Sequence, residues 1–180
     1  MTTKIRKATA RDLDAIMAVI EEARGTIAQL GINQWQDGYP TRQIIEADIN
    51  AGVSFCVENV DTGEIISTFG VFENGEVLYD RIFDGEWRTG DSLSVLAGDV
   101  CYTAIHRVAI SVKARGSGLS GAIINFVTDL AREKKKSSLR IDTHEGNVVM
   151  RRMLEKNGFC HCGTILLENG DPRVAYEKLI

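Results

Sequence analysis

The sequence predicts a single α/β domain whose mixed sheet carries helices packed on its faces. Three observations point there: the length and composition, the order of strand-like and helix-like segments, and one strand–helix–strand unit late in the chain. A chain of 180 residues with 44% hydrophobic and 26% charged residues has the balance of one globular domain with a real core. The segments alternate in the order β-α-α-β-β-(β)-β-α-β-α-β-β, which gives a mixed sheet with helices on its faces. Consecutive strand, helix and strand imply a parallel pair joined by a right-handed crossover.

Residues Ile5 to Ala8 read as a short first strand. Thr9-Ala10-Arg11-Asp12 is a capping-box pattern, and it starts a helix whose stripe is Leu13, Ile16, Met17, Ile20, Ala23 and Ile27, stopped at Gly31. A second, weaker helix runs from Thr41 to Ala51. The loop between them, GINQWQDGYP, carries Trp35 and Tyr39, aromatics that either line a pocket or plug the end of a core. VSFCVENVDTGEIISTFGVF reads as a hairpin turning at Asp61-Thr62-Gly63, and Asn74-Gly75 is a further turn signal.

From Glu73 to Asp99 seven acidic residues (73, 76, 80, 84, 86, 91 and 99) face two basic ones (81 and 88), a local charge of -5. Such a run is either a solvated face or an attractor for a cationic substrate. Tyr102 to Val112 forms the next strand. Leu119, Ala122, Ile123, Phe126, Val127, Leu130 and Ala131 then mark a helix at i, i+3, i+4 spacing. Leu139 to Thr143 follows as a strand, and Asn147 caps a helix with the stripe Val149, Met150, Met153 and Leu154, ended by Asn157-Gly158. Phe159 to Leu167 and Arg173 to Leu179, turning at Asn169-Gly170, form a closing hairpin.

Net charge is -4 and the basic run Lys134-Lys135-Lys136 sits where a helix ends, so no footprint for nucleic acid is present. MTTKIRKATARDLD lacks the apolar core of a signal peptide and no stretch has the length that spans a bilayer, so a cytoplasmic protein without a membrane partner is expected. Cys56, Cys101, Cys160 and Cys162 are then expected as free thiols. Strand alternation puts the sulfurs of Cys160 and Cys162 on one face, but further ligands are missing and no metal is expected.

The chemistry concentrates in VKARGSGLSGAIINF, where Arg115, Gly116, Gly118 and Gly121 fall in one loop at a helix start. Helix N-termini present unpaired N–H groups and a partial positive charge, glycines let a phosphate approach the backbone, and an arginine adds a charge-assisted donor. No Lys-Ser or Lys-Thr follows a GxxxxG, so a P-loop is excluded. Gly116, Gly118 and Gly121 also spell GxGxxG, with Asp142 about 20 residues on where a ribose-binding carboxylate belongs. That dinucleotide reading needs further alternating units, and only one helix and a terminal hairpin remain. A ligand-free glycine turn is the bland alternative.

These residues resemble the GNAT superfamily of N-acetyltransferases, in which a strand is followed by Arg/Gln-x-x-Gly-x-Gly/Ala at a helix start. Here the motif reads Arg115-Gly116-Ser117-Gly118-Leu119-Ser120, departing from it at Ser120. The family's next helix, opened by Asn and ended by lysine-x-Gly-Phe, is matched by Asn147, Lys156, Gly158 and Phe159. The resemblance covers the whole chain in element order and is specific from His106 to Phe159. QWQDGYP, HRVA, RIDTH and RVAYEK together look like a bacterial subgroup of the family.

The resemblance implies a largely antiparallel sheet with two splayed central parallel strands, and acetyl-CoA as co-substrate with its pyrophosphate on Arg115 to Ser120. The pantetheine arm would lie between the strands Ala104 to Val112 and Leu139 to Thr143, with Asn147 reaching it and the N–H groups near Ala109 and Ile110 polarising the thioester carbonyl. The reaction implied is direct attack by the primary amine of a small molecule or peptide, and family habit implies a homodimer. Many members carry a tyrosine acid where this chain has Leu154, leaving Tyr102, Cys160 and Cys162 as substitutes. His106, then His144, are the candidate bases, with Glu145 and Asp142 near the expected cleft; the plainer reading of each histidine is a hydrogen-bonded strand residue. Trp35, Tyr39, Tyr79 and Trp87 are expected to wall the acceptor side, suiting an amine with an apolar portion. The rival functions are a nicotinamide-cofactor enzyme and a module that holds acyl-CoA without turnover.

Overall fold

A computed structural model describes residues 2–90 and 100–180. The acidic residues 91 and 99 of the segment read above lie outside the described residues. The strands are β1 (Thr3–Lys7), β2 (Ser54–Asn59), β3 (Glu64–Phe72), β4 (Tyr102–Ile110), β5 (Ser138–Thr143), β6 (Cys160–Leu166) and β7 (Pro172–Leu179). The helices are α1 (Leu13–Ala28), α2 (Arg42–Asn50), α3 (Leu119–Glu133) and α4 (Val148–Lys156). The strands hydrogen-bond in the order β1-β2-β3-β4-β5-β7-β6, a mostly antiparallel sheet in which β4 and β5 are the parallel pair. By internal contacts the chain divides into two compact units, Met1–Val71 with Arg107–Ile123 and Phe72–His106 with Ile124–Ile180.

In the first unit, α1 and α2 turn Leu13, Ile16, Ile20, Ile45 and Ile49 onto Ala8, Cys56, Ile65 and Ala109, burying the stripe that the helical spacing marked. The capping box forms as read. The Asp12 carboxylate accepts from the Thr9 N–H at 2.8 Å and from its hydroxyl at 2.9 Å, and it takes both terminal nitrogens of Arg6 at 2.8 Å. These bonds tighten the entry into one 3-10 turn, Ala10–Asp12, before α1 begins. The Arg6 guanidinium holds the Asp12 carboxyl well below the usual carboxylate range. Cys56 sits wholly inside, and burial pushes its thiol up to about 11.

The second unit is organised around a buried charge. Arg140 and Glu177, both fully buried, pair at 2.9 Å, and the guanidinium lies between the rings of Trp87 (4.1 Å) and Tyr102 (4.2 Å). Glu177 also accepts from the hydroxyls of Ser138 and Thr89, each at 2.6 Å, while Arg140 donates to the Gly90 carbonyl at 3.1 Å. Burial works against the Glu177 charge, but the hydroxyls and Arg140 outweigh it and hold the carboxyl below its ordinary value. The segment 87–90 is thereby pinned to the sheet.

After Asn74-Gly75 the chain forms a 3-10 turn, Val77–Asp80, and no strand; it then bridges β6 through Phe83 and Thr164, which exchange backbone bonds of 2.7 and 2.8 Å. That approach is possible because Gly85 and Gly163 lack side chains: a Cβ on Gly85 would collide with the Cys162 carbonyl, and one on Gly163 would meet the Phe83 oxygen at 2.6 Å. The same region corrects the expectation for the two cysteines. A register shift between His161 and Gly163 breaks the alternation, so Cys160 is exposed while Cys162 is buried.

Glu177→Gln is expected to cost about 3–5 kcal/mol at neutral pH, because Arg140 then stays buried without its counter-charge. Since the folded-state carboxyl lies below its unfolded value, that contribution is present above the ordinary carboxylate range and is lost as pH falls through the folded value. Urea denaturation at neutral and acid pH should therefore show the gap between wild type and variant narrowing in acid. Gly85→Ala should cost about 1–3 kcal/mol in the same assay, since backbone must shift to admit the methyl group.

Candidate functional site

The glycine loop belongs to the first unit. Ser111 closes β4 by donating its N–H to the Ile66 carbonyl at 2.9 Å, and its hydroxyl accepts from the Lys113 N–H to open a short 3-10 turn, Val112–Ala114. The chain then passes through two left-handed positions, Gly116 (φ 74°) and Gly118 (φ 80°), before α3 starts. A Cβ at either would meet nothing within 4 Å, so the backbone conformation, not crowding, demands glycine, and both positions open onto space. Ser117 donates its hydroxyl to the Ala114 carbonyl at 2.7 Å, and Leu119 is buried, fixing the helix start. Among the described residues no acceptor is met by the N–H groups of Gly116, Gly118, Leu119, Ser120 and Gly121. Five unspent donors at the positive end of a 15-residue helix make a cradle for an anion.

The flanks of the cradle are tied to α1. Arg115 donates to the Thr26 hydroxyl at 2.8 Å, and the Val112 N–H is taken by the Glu22 carboxylate at 2.6 Å. Upstream, Arg107 stands in the left-handed region (φ 55°) within β4, a strained conformation for a residue with a side chain. Ala109 is buried and accepts the Ser67 hydroxyl at 2.8 Å through its carbonyl, and Ile110 is half-buried. The Arg107 guanidinium meets Asp48 at 2.9 Å and lies 5.7 Å from the Tyr39 ring centroid. The loop carrying Tyr39 is gripped by Arg24, which donates to the carbonyls of Gly38, Tyr39 and Pro40 at 2.6 to 3.2 Å. Trp35, half-buried, packs against the core of this unit.

In the second unit, β4 and β5 pair from Tyr102/Ser138 to Ala104/Arg140 and no further, although β5 runs on to Thr143. His106 and Asp142 each stand two residues beyond the last pair. His106 is packed edge-on by Phe72 (ring centroids 5.1 Å) and flanked by Tyr79 (5.8 Å). Its Nε2 lies 3.3 Å from the Glu76 carboxylate, off the line of a hydrogen bond. Asp142 accepts the Tyr79 hydroxyl at 2.7 Å.

Tyr79 and Trp87 are 1% and 3% exposed, members of the core cluster with Tyr102, and Trp87 donates its indole N–H to the Tyr79 carbonyl. Tyr102 is fully buried, with its hydroxyl donating to the Glu76 carbonyl and accepting the Glu76 N–H. Burial raises the phenols of both Tyr79 and Tyr102, and for Tyr79 the Asp142 carboxylate adds to the effect. His144 accepts the Gly146 N–H on Nδ1 at 3.0 Å, a turn-capping role. Asn147 is buried and caps α4 by accepting the Met150 N–H. Leu154 is wholly buried, and burial raises the Cys162 thiol. Among the described residues no group of three His, Cys, Asp or Glu side chains is placed to hold a metal, and no helix is long and apolar enough to cross a membrane.

Glu76 and the left-handed Arg107 escaped the sequence reading. Glu76 lay unresolved within an acidic run, and no local pattern marks a left-handed arginine inside a strand.

A model of the acetyltransferase (GNAT) family matches residues 15–159. Among solved structures, a GNAT-family acetyltransferase from Streptococcus agalactiae 2603 is 37% identical with a TM-score of 0.83, covering 99% of this chain and 95% of that one. One from Listeria monocytogenes 4b F2365 is 22% identical (TM-score 0.70, 99% and 95% covered), and a PaiA N-acetyltransferase from Thermoplasma acidophilum in complex with coenzyme A is 15% identical (TM-score 0.69, 100% of each chain). No curated protein matches the sequence. An open amide cradle at the start of α3, a parallel pair that parts after three residue pairs, and a family match over most of the length agree: the chain belongs to the GNAT family of acetyltransferases.

Proposed function

We propose that the protein moves the acetyl group of acetyl-CoA to a primary amine of a small molecule or peptide. The observation that carries this reading is the row of five N–H groups from Gly116 to Gly121 without an acceptor among the described residues. A pyrophosphate satisfies such donors, and Arg115 stands beside them with a further charge. A fold relative solved with coenzyme A supports the same ligand. The β4–β5 register ends at Ala104/Arg140, and beyond it β5 offers backbone groups to the amides of a pantetheine arm, much as a further strand would.

In this reading the N–H groups near Ala109 and Ile110 polarise the thioester carbonyl, and Asn147 touches the arm while capping α4. The amine attacks as the free base. The substrate ammonium first yields one proton to the base; the freed lone pair then forms the C–N bond, the C–S pair departs with sulfur as a thiolate, and the second nitrogen proton passes through water to the sulfur. His106 is the base the geometry favours, since His144 spends Nδ1 on a turn. No acid need replace the tyrosine that Leu154 displaces, because a thiolate leaves readily at neutral pH. Tyr102 and Tyr79 are held by hydrogen bonds in a core, and Trp87 supports them there; they shape the acceptor side from beneath.

Thiol release from acetyl-CoA, measured across a panel of primary amines, is expected to depend on the amine. Acetyl-CoA binding without amine-dependent release would instead indicate a holding module. Gly118→Glu is expected to weaken acetyl-CoA binding at least about a hundredfold, by strain at a left-handed position and by a carboxylate set against phosphate. Calorimetric titration of that variant checks it, and undiminished affinity would overturn the placement of the pyrophosphate.

A further inference from the structure

We propose that Glu76 positions His106 for proton removal from the acceptor amine, forming a carboxylate–imidazole dyad in which Glu76 never touches substrate. The inference rests on the acyl-transfer reading above and adds to it a residue from the segment after β3.

Glu76 is held in place by its backbone N–H and carbonyl and by one carboxylate oxygen. Its backbone N–H donates to the Tyr102 hydroxyl at 2.9 Å, and that hydroxyl donates back to its carbonyl at 3.1 Å. One side-chain oxygen, Oε1, accepts the Leu78 N–H at 3.3 Å. The other, Oε2, is thereby turned to His106 Nε2 at 3.3 Å, with the two side chains only 29% and 16% exposed. Tyr102 in turn is fixed by the Arg140 guanidinium 4.2 Å from its ring centroid. A rigid chain thus runs from the buried Arg140–Glu177 pair to the Glu76 carboxylate.

His106 is held from its own side. Phe72 meets the ring edge-on and Tyr79 flanks it, so rotation of the imidazole is restricted. Among the described residues, the titratable groups in contact with it are Glu76 from the turn and Tyr79, whose hydroxyl is committed to Asp142 on β5. Among the described residues His106 Nδ1 has no hydrogen-bond partner, which leaves it to face an amine. The Nε2 contact is close but misaligned, the state in which catalytic pairs stand before substrate arrives and tightens them. On proton uptake at Nδ1 the imidazolium gains a carboxylate at Nε2, so no isolated charge forms in a partly buried site. The proton passes from the ammonium to Nδ1, the amine lone pair is freed for attack, and nothing is oxidised or reduced.

The test is a double-mutant cycle on the full chain, with acetyl-CoA and the best amine of the panel. Glu76→Gln keeps a side-chain oxygen for the Leu78 N–H and removes only the charge. It is expected to lower kcat about tenfold with the KM for acetyl-CoA unchanged, and to have no further effect in a His106→Ala background. Glu76→Asp, which keeps the charge, should recover part of the loss and serves as the second variant if Glu76→Gln fails to fold. Equal losses with and without His106, or full activity of Glu76→Gln, would overturn the dyad while leaving acetyl transfer intact. Wild-type protein that releases no thiol with any amine would instead overturn acetyl transfer itself, and the dyad with it.

Discussion

The parallel pairing of β4 and β5 stops after Ala104 and Arg140, and the function ascribed to the protein depends on that stop. Where two strands part, their facing backbone groups lose partners, and a fold can leave them so only if a ligand or water completes them. The opening is not loose. β5 stays paired with β7 along its length, from Ser138/Leu179 to Thr143/Val174. At the last paired position Arg140 is locked by Glu177 and by two aromatic faces. The strands therefore part just beyond the most rigid point of the second unit, and the residues that follow, His106 and Asp142, are presented from firm supports.

Buried charge is a costly means of rigidity, since an apolar cluster of the same volume would stabilise as well. What the Arg140–Glu177 pair adds is direction. Its hydrogen bonds reach Ser138, Thr89 and Gly90, so one ion pair orders β5, β7 and the segment 87–90 together. Tyr102 carries that order on to Glu76, and through Tyr79 it reaches Asp142. Within the segment whose acids the sequence left between a solvated face and a substrate attractor, Tyr79 and Trp87 are core and Glu76 is clamped by Tyr102.

Much of this was legible beforehand. Helical spacing marked the stripe of α1, the capping box at Thr9 and Asp12 marked its start, and the RGSGLS loop marked the family. These signals are local, carried by residues within a few positions of one another. The rest depended on distant partners. The alternation that placed Cys160 and Cys162 on one face failed because a register shift at Gly163 admits the segment around Phe83, 80 residues earlier in the chain. Asp142 likewise meets Tyr79, 63 residues away along the chain. A left-handed arginine within β4 has no local signature, because strain of that kind is imposed by surroundings.

The central claim is that the open amides at the start of α3 receive the phosphates of acetyl-CoA. Backbone amide resonances followed during titration with acetyl-CoA, with NADH as the comparison, test it most directly. The account predicts large, saturable shifts at Gly116, Gly118, Leu119, Ser120 and Gly121 with acetyl-CoA and none with NADH. Silent amides with acetyl-CoA, or shifts of the same residues with NADH, would contradict it.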